Sequence, residues 1–176
     1  MTHESVIKRN SGGSGRLVVI RGNSGSGKTT VAKALQLRFA RAECLLIPQD
    51  VVRREFLRES DIPDGQNIEL IRDIAELGLA RGVTVIVEGI LSARRYGAML
   101  EQLAARAERA WFYAFDLSFT ETLDRHARRP KASEFGAEEM HGWYHGWDPL
   151  GFVTEARIDA VPAVADIVET IYADIT

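Results

Sequence analysis

The chain has one cysteine, Cys44, in 176 residues. A lone thiol excludes an intramolecular disulfide and a multi-cysteine metal centre, and it suits a reducing compartment. No apolar run approaches the roughly 20 residues that a membrane-spanning helix needs, and the N-terminus has no apolar signal core, so a cytoplasmic protein without a membrane partner is expected. There is no basic excess either: the formal net charge is -3. That disfavours a nucleic-acid partner, because nucleic-acid-binding domains usually neutralise phosphates with surplus Lys and Arg. What is present, 45% hydrophobic and 27% charged residues, is the composition of a soluble globular protein. The length suffices for one domain with a substantial core and is short for two.

Residues 1–15, MTHESVIKRNSGGSG, are polar, end in Gly and Ser and show little periodicity; they read as a flexible tail. Residues 16–176 read as one domain. Short apolar runs at 17–21, 44–48, 83–87, 110–115 and 155–158 have strand character, clearest in Val83-Thr-Val-Ile-Val87 with its β-branched side chains. Helical patterns lie between and beyond them, at 28–40, 51–58, 67–81, 93–107, 119–129, 137–144 and 163–173. Strands alternating with helices predict βαβ crossovers and a parallel sheet covered on both faces, a three-layer α/β fold. Trp111 and Phe112 are expected in its core.

The sharpest motif is Gly22-Asn23-Ser24-Gly25-Ser26-Gly27-Lys28-Thr29, followed by Thr30. It matches G-x-x-x-x-G-K-[ST], and it lies between a predicted strand and a predicted helix, as its mechanism requires. Glycines let the backbone turn with its N–H groups facing phosphate oxygens, and the helix N-terminus adds partial positive charge. Lys28 would reach the β- and γ-phosphates, and the Thr29 hydroxyl would join a Mg²⁺ shell otherwise made of water and phosphate oxygens. The expected cofactors are ATP and Mg²⁺.

A phosphate loop does not say where the γ-phosphate goes. No Asn-Lys-x-Asp motif follows a later strand, which disfavours a GTPase, and the small size disfavours a motor. A kinase is left, and three stretches support it. In CLLIPQDVVRREFL, Asp50 follows the second strand at the sheet edge where α/β proteins bind ligands; it is a candidate base for an acceptor hydroxyl, or a helix N-cap. Arg53 and Arg54 are anchors for an anionic acceptor or a solvated helix face. In VTVIVEGIL, Glu88 ends a buried strand and is a candidate for an Mg²⁺-bound water or acceptor hydroxyls, with Arg94 and Arg95 following. In FDLSFTETLDRHARRPKASEFG, Ser118 and Glu121 form a capping-box pattern. Arg125, Arg128 and Arg129 share a helix face before Pro130, suited to neutralising a transferring phosphoryl group from a lid spanning about 125–150. His126 has no evident partner.

On Gly22 to Thr29, Asp50, Glu88-Gly89 and the arginines before Pro130, the chain resembles P-loop small-molecule kinases of nucleoside-monophosphate-kinase type. That group includes zeta toxins, chloramphenicol phosphotransferases, adenylylsulfate kinases and gluconate kinases. The resemblance implies a five-stranded parallel sheet of order 2-3-1-4-5, a lid over ATP, and phosphate transfer to a hydroxyl of a small-molecule acceptor such as an antibiotic, nucleoside or sugar derivative. Asp50 and VIVEG resemble the base and the acceptor-binding acid of zeta toxins, and RIDAVPAVADIVETI resembles the last strand and helix of such kinases. RHARRPKASEFG carries no subfamily signature, which leaves the acceptor open. A P-loop nucleotide-binding regulator with little transfer activity and a polynucleotide-end kinase are the alternatives. In EEMHGWYHGWDPLGF, Trp143, Tyr144 and Trp147 with His141, His145 and Asp148 are candidates for an acceptor wall or for packing beneath the lid; a His141/His145 metal pair lacks a third ligand.

Overall fold

In the strand Leu17–Gly22, Leu17 and Val19 pack into one apolar cluster and Val18 and Ile20 into another, so both faces are buried and the run is continuously apolar. The computed structural model describes residues 6–8, 15–127 and 137–176. Its strands are β1 (Val6–Lys8), β2 (Leu17–Gly22), β3 (Cys44–Pro48), β4 (Thr84–Gly89), β5 (Arg109–Phe115) and β6 (Ala156–Ile158). The pairings β3-β4, β4-β2, β2-β5 and β5-β6 are all parallel. Counting only these five strands, the order is 2-3-1-4-5, as the family resemblance implied.

The outer edge of β5 is shared. Its second half, Tyr113 to Phe115, pairs with β6, and its first half, Arg109 to Trp111, pairs antiparallel with β1. The stretch expected to be a flexible tail over 1–15 therefore contains a strand. Val6 and Ile7 are in register with Trp111 and Ala110, and their β-branched type is a local signal masked by the polar composition around it.

Helices α1 (Lys28–Gln36) and α7 (Val164–Ile175) cover one face through Val31, Leu35, Ile167 and Ile171. Helices α3 (Gln66–Ala80) and α4 (Ala93–Arg106) cover the other through Ile71, Ala75, Leu100 and Leu103. Trp111 and Phe112 are buried in the core, as expected. Between β3 and α3 the predicted helix 51–58 is replaced by the short α2 (Gln49–Val51) and a π-helical turn, Val52–Phe56, closed by the Leu57 N–H donating to the Val52 carbonyl at 3.2 Å. Beyond β5 come α5 (Phe119–Ala127) and α6 (Ala137–Trp143). The capping box forms: the Ser118 N–H donates to Glu121 Oε2 at 2.7 Å and the Glu121 N–H to Ser118 Oγ at 3.3 Å. Among the described residues no helix is long and apolar enough to cross a membrane.

Leu100 is fully buried between α4 and the sheet. Leu100→Ala should cost about 2–5 kcal/mol through lost burial and the cavity left behind. Urea unfolding checks this, with an unchanged midpoint contradicting the packing described.

Candidate active site at the sheet edge

Parallel strands place all their C-terminal ends at one edge, and the phosphate loop leaves that edge from β2. Gly25 (φ +81°) and Gly27 (φ +103°) adopt left-handed backbone that L side chains rarely take. A Cβ on Gly25 would also lie 2.7 Å from the Thr122 carbonyl oxygen, so α5 packs directly against the loop. Lys28 is buried, and its Nζ donates to the Asn23 carbonyl at 3.1 Å. The Asn23 side chain points away from the loop interior: its Nδ2 donates to the Gly146 carbonyl at 3.0 Å and its Oδ1 accepts the His145 N–H at 2.9 Å.

Thr29 and Glu88, each a candidate near the cation, are in contact. Thr29 Oγ1 donates to Glu88 Oε2 at 3.1 Å. Glu88 belongs to β4, which continues to Gly89 rather than ending at 87, because Ile20 and Arg21 of β2 pair with Glu88 and Gly89. It is 3% exposed. Burial pushes its carboxyl above the usual carboxylate range and Asp50 adds to the rise, while Lys28 and the Thr29 bond oppose it. The donor set fits a magnesium-bound nucleotide: a cradle whose turn uses positive-φ glycines, one lysine, and a hydroxyl–carboxylate pair suited to a hydrated hard cation. Among the described residues no group of three His, Cys, Asp or Glu forms a metal-binding cluster.

Asp50 is the second residue of α2, and the capping position is occupied by Pro48. The N-cap alternative for Asp50 therefore fails; a capping carboxylate would sit one step before the helix. Its carboxylate is half exposed and accepts Arg53 Nη2 at 3.0 Å, with Arg54 Nε at 3.5 Å. Arg53 is 9% exposed and its Nη1 donates to the Glu59 carbonyl at 3.1 Å, so it is no solvated helix face. Arg95 pairs with Asp61.

Four residues that the sequence reading missed organise this side. Gln49 Nε2 donates to the Tyr96 hydroxyl, which donates to Asn67 Oδ1, each at 2.8 Å, and Asn67 Nδ2 donates to Glu59 Oε2 at 2.7 Å. Burial raises the Tyr96 phenol to about 12, keeping the proton that this chain uses. Hydrogen bonds from Asn67, led by its side chain, hold Glu59 below its ordinary value. A Cβ on Gly89 would lie 2.7 Å from Gln49 Cβ, so β4 and the start of α2 are in contact at the edge. Gln49 and Tyr96 carry no motif; only the hydrophobic period that buries one face of α4 hinted that Tyr96 points inward.

A further missed residue is Arg21, 3% exposed. Its Nη1 donates to both oxygens of Glu155 at 3.1 and 2.8 Å, its Nη2 to Asp148 Oδ2 at 3.0 Å and its Nε to the Leu91 carbonyl at 3.1 Å. The segment 144–150 is thereby drawn over the edge. His145, Trp147 and Asp148 line a small pocket with Ile90, Ala114 and Phe115. Tyr144 packs edge-on against Phe119 and donates to the Leu117 carbonyl at 2.9 Å, and the Arg157 guanidinium lies 4.2 Å over the Trp147 ring. His141 packs edge-on to Phe119. Arg125 lies on α5, and Arg128 and Arg129 lie outside the described residues.

A family model described as an AAA domain matches residues 17–143. The chain belongs to that family. Within the family's match lie the phosphate loop, Asp50 and Glu88. No curated protein matches the chain. Among solved structures, the Mycobacterium tuberculosis APS kinase CysC in complex with AMPPNP and APS is similar at 18% identity, with a TM-score of 0.68, covering 93% of this chain and 98% of that one. A gluconokinase from Sinorhizobium meliloti 1021 is similar at 21% identity and a TM-score of 0.60, covering 93% and 92%. The Pnkp1/Rnl/Hen1 RNA repair complex is similar at 20% identity and a TM-score of 0.55, covering 75% and 43%. At these identities the likeness establishes the shared P-loop kinase fold.

The raised carboxyl of Glu88 has a stability consequence. Folded Glu88 keeps its proton to higher pH than it does in the unfolded chain, so its contribution is full below the ordinary carboxylate pKa and is lost as pH rises through the raised value. Glu88→Gln should flatten the fall of stability with pH across that window. Denaturant midpoints measured at a series of pH values check this, and a slope equal to wild type would contradict the burial of the carboxyl.

Proposed function

We propose that the protein is an ATP- and Mg²⁺-dependent phosphotransferase that moves the γ-phosphoryl group to a hydroxyl of a small-molecule acceptor. The observation that carries this reading is the convergence of Lys28, Thr29, Glu88 and Asp50 at one sheet edge: Thr29 bonds Glu88, both Lys28 and Asp50 act electrostatically on Glu88, and Pro48 pairs in register with Glu88 two residues before Asp50. The backbone N–H groups of Gly22 to Thr30 would hold the phosphates, and Thr29 with Glu88, through water, would hold the cation. The bound nucleotide supplies the transferable phosphoryl group, and the cation supplies charge neutralisation.

In this reading the Lys28 ammonium leaves the Asn23 carbonyl for the β- and γ-phosphate oxygens. Asp50 accepts the proton of the acceptor hydroxyl as that oxygen bonds to the γ-phosphorus and ADP departs. Arg54 and Arg95, both at the edge of this site, and Arg53, which holds Asp50, would orient the acceptor side. Arg125, Arg128 and Arg129 remain candidates for stabilising the phosphoryl charge. The fold and the kinases that share it support this class of reaction, and the net charge of -3 favours a small molecule over a polynucleotide end.

Acceptor-dependent ADP release in a screen of hydroxyl compounds with Mg²⁺·ATP is the direct test. Tight ATP binding with no turnover on any acceptor would make the chain a nucleotide-binding regulator instead. Lys28→Ala should abolish transfer, and activity within a few-fold of wild type would remove the phosphate-loop assignment.

Asp50→Asn is the sharper probe, since asparagine still accepts a hydrogen bond from Arg53 but is a far weaker proton acceptor. With Asp50 outside the capping position, the change should leave the melting temperature and ATP affinity nearly unaltered and lower kcat by about a hundredfold or more. Normal turnover would reduce Asp50 to a partner of Arg53 and Arg54.

A further inference from the structure

We propose that Asp148 is a positioning residue that holds the start of α4, and with it the acceptor side, in register with the phosphate loop. This inference rests on the kinase reading for its functional meaning. Asp148 Oδ2 accepts two hydrogen bonds: Arg21 Nη2 at 3.0 Å and the Ala93 N–H at 2.8 Å. Ala93 is the first residue of α4, and Ser92 in the N-cap position makes no side-chain capping bond. One of the first-turn N–H groups that have no partner within the helix is here satisfied by a carboxylate 55 residues further along the chain.

Neutralising Arg21 does not explain this arrangement. Glu155 is buried, takes both Nη1 bonds and already balances the guanidinium charge. The Asp148 side chain is 35% exposed, where an ion pair alone contributes little. What distinguishes it is the simultaneous hold on β2, immediately before the phosphate loop, and on α4.

The same short segment is fastened to the loop itself. Asn23 binds the His145 N–H and the Gly146 carbonyl, so 145–148 is pinned at one end to the phosphate loop and at the other to α4. The first turn of α4 carries Arg95, paired with Asp61, and Tyr96, whose hydroxyl bonds Gln49 and Asn67. Gln49 adjoins Asp50. A run of polar bonds therefore links the nucleotide side to the residue next to the candidate base, and Asp148 is the side chain in it that satisfies the start of α4.

The test is amide hydrogen exchange on the free protein, with AMPPNP·Mg²⁺ binding measured on the same samples. Asp148→Ala should speed exchange of amides 93–96 by about tenfold or more while the central strands β2 and β4 exchange as in wild type. Asp148→Asn keeps an oxygen for the Ala93 N–H and should restore most of the protection. Unchanged exchange at 93–96 in the alanine variant, or acceleration spread equally over the strands, would overturn the proposal, the second outcome meaning general destabilisation. Nucleotide binding answers a separate question: if wild type exchanges as expected but does not bind AMPPNP·Mg²⁺, the kinase reading falls while the positioning of α4 by Asp148 stands. If wild type binds and Asp148→Ala binds within about threefold, the role is confined to the acceptor side.

Discussion

A guanidinium buried at the end of a strand must have its donors met, and Arg21 draws three separate segments to itself to do so. The loop after β4 offers the Leu91 carbonyl, the residue before β6 offers Glu155, and the 145–148 segment offers Asp148. Leaving such a charge unpaired in the interior costs about 3–5 kcal/mol, so the three segments are not free to rearrange independently. Leu91 shows the consequence. It is fully buried with φ +44°, a conformation that a branched side chain rarely adopts, and its carbonyl is the one that Arg21 Nε holds. The edge of the sheet is thus shaped from beneath by a residue that immediately precedes the phosphate loop.

The two halves of the proposed site are built by different physics. On the nucleotide side the backbone does most of the holding: glycines at +81° and +103°, a helix beginning at Lys28, and a loop whose first polar side chain, Asn23, is turned outward to bind neighbouring backbone. On the acceptor side, side chains hold one another in a chain from Gln49 through Tyr96 and Asn67 to Glu59, on a segment that contains a π-helical turn and left-handed backbone at Arg58 and Asp64. Irregular backbone of this kind recurs at functional sites because the surrounding contacts over-determine it.

That difference explains what could be read from the sequence. The phosphate loop is local, with eight consecutive residues fixing both conformation and chemistry, and it was legible. So was a parallel sheet covered by helices, because its runs are apolar on both faces and alternate with helices, whereas its order 2-3-1-4-5 came from the family resemblance. The capping box at Ser118 and Glu121 was legible for the same reason, being a four-residue pattern. Asp50 was found, but its cap alternative was off by two positions, since the helix starts at Gln49 and the π-turn that follows has no simple sequence signature. Arg21, Glu155, Tyr96 and Asn67 were missed because their meaning lies in partners 29 to 134 residues away. A strand at Val6 to Lys8 was missed because only the free half-edge of β5 gives it something to pair with.

Glu88 and Asp50 reach one edge from neighbouring strands because Pro48 and Glu88 lie side by side in the sheet. Two carboxylates brought together in this way cannot both lose their water without one holding a proton. The fold separates their environments: Glu88 is 3% exposed and raised by burial, whereas Asp50 keeps more than half of its side chain in solvent and lies beside Arg53 and Arg54. Pairs of acids whose surroundings diverge in this manner can divide their tasks, and the buried Glu88 is the one suited to a hydrated cation. Lys28 and Thr29 stand on the Glu88 side of that division and Arg53 and Arg54 on the Asp50 side, so the charge pattern runs in the direction of the proposed transfer from nucleotide to acceptor.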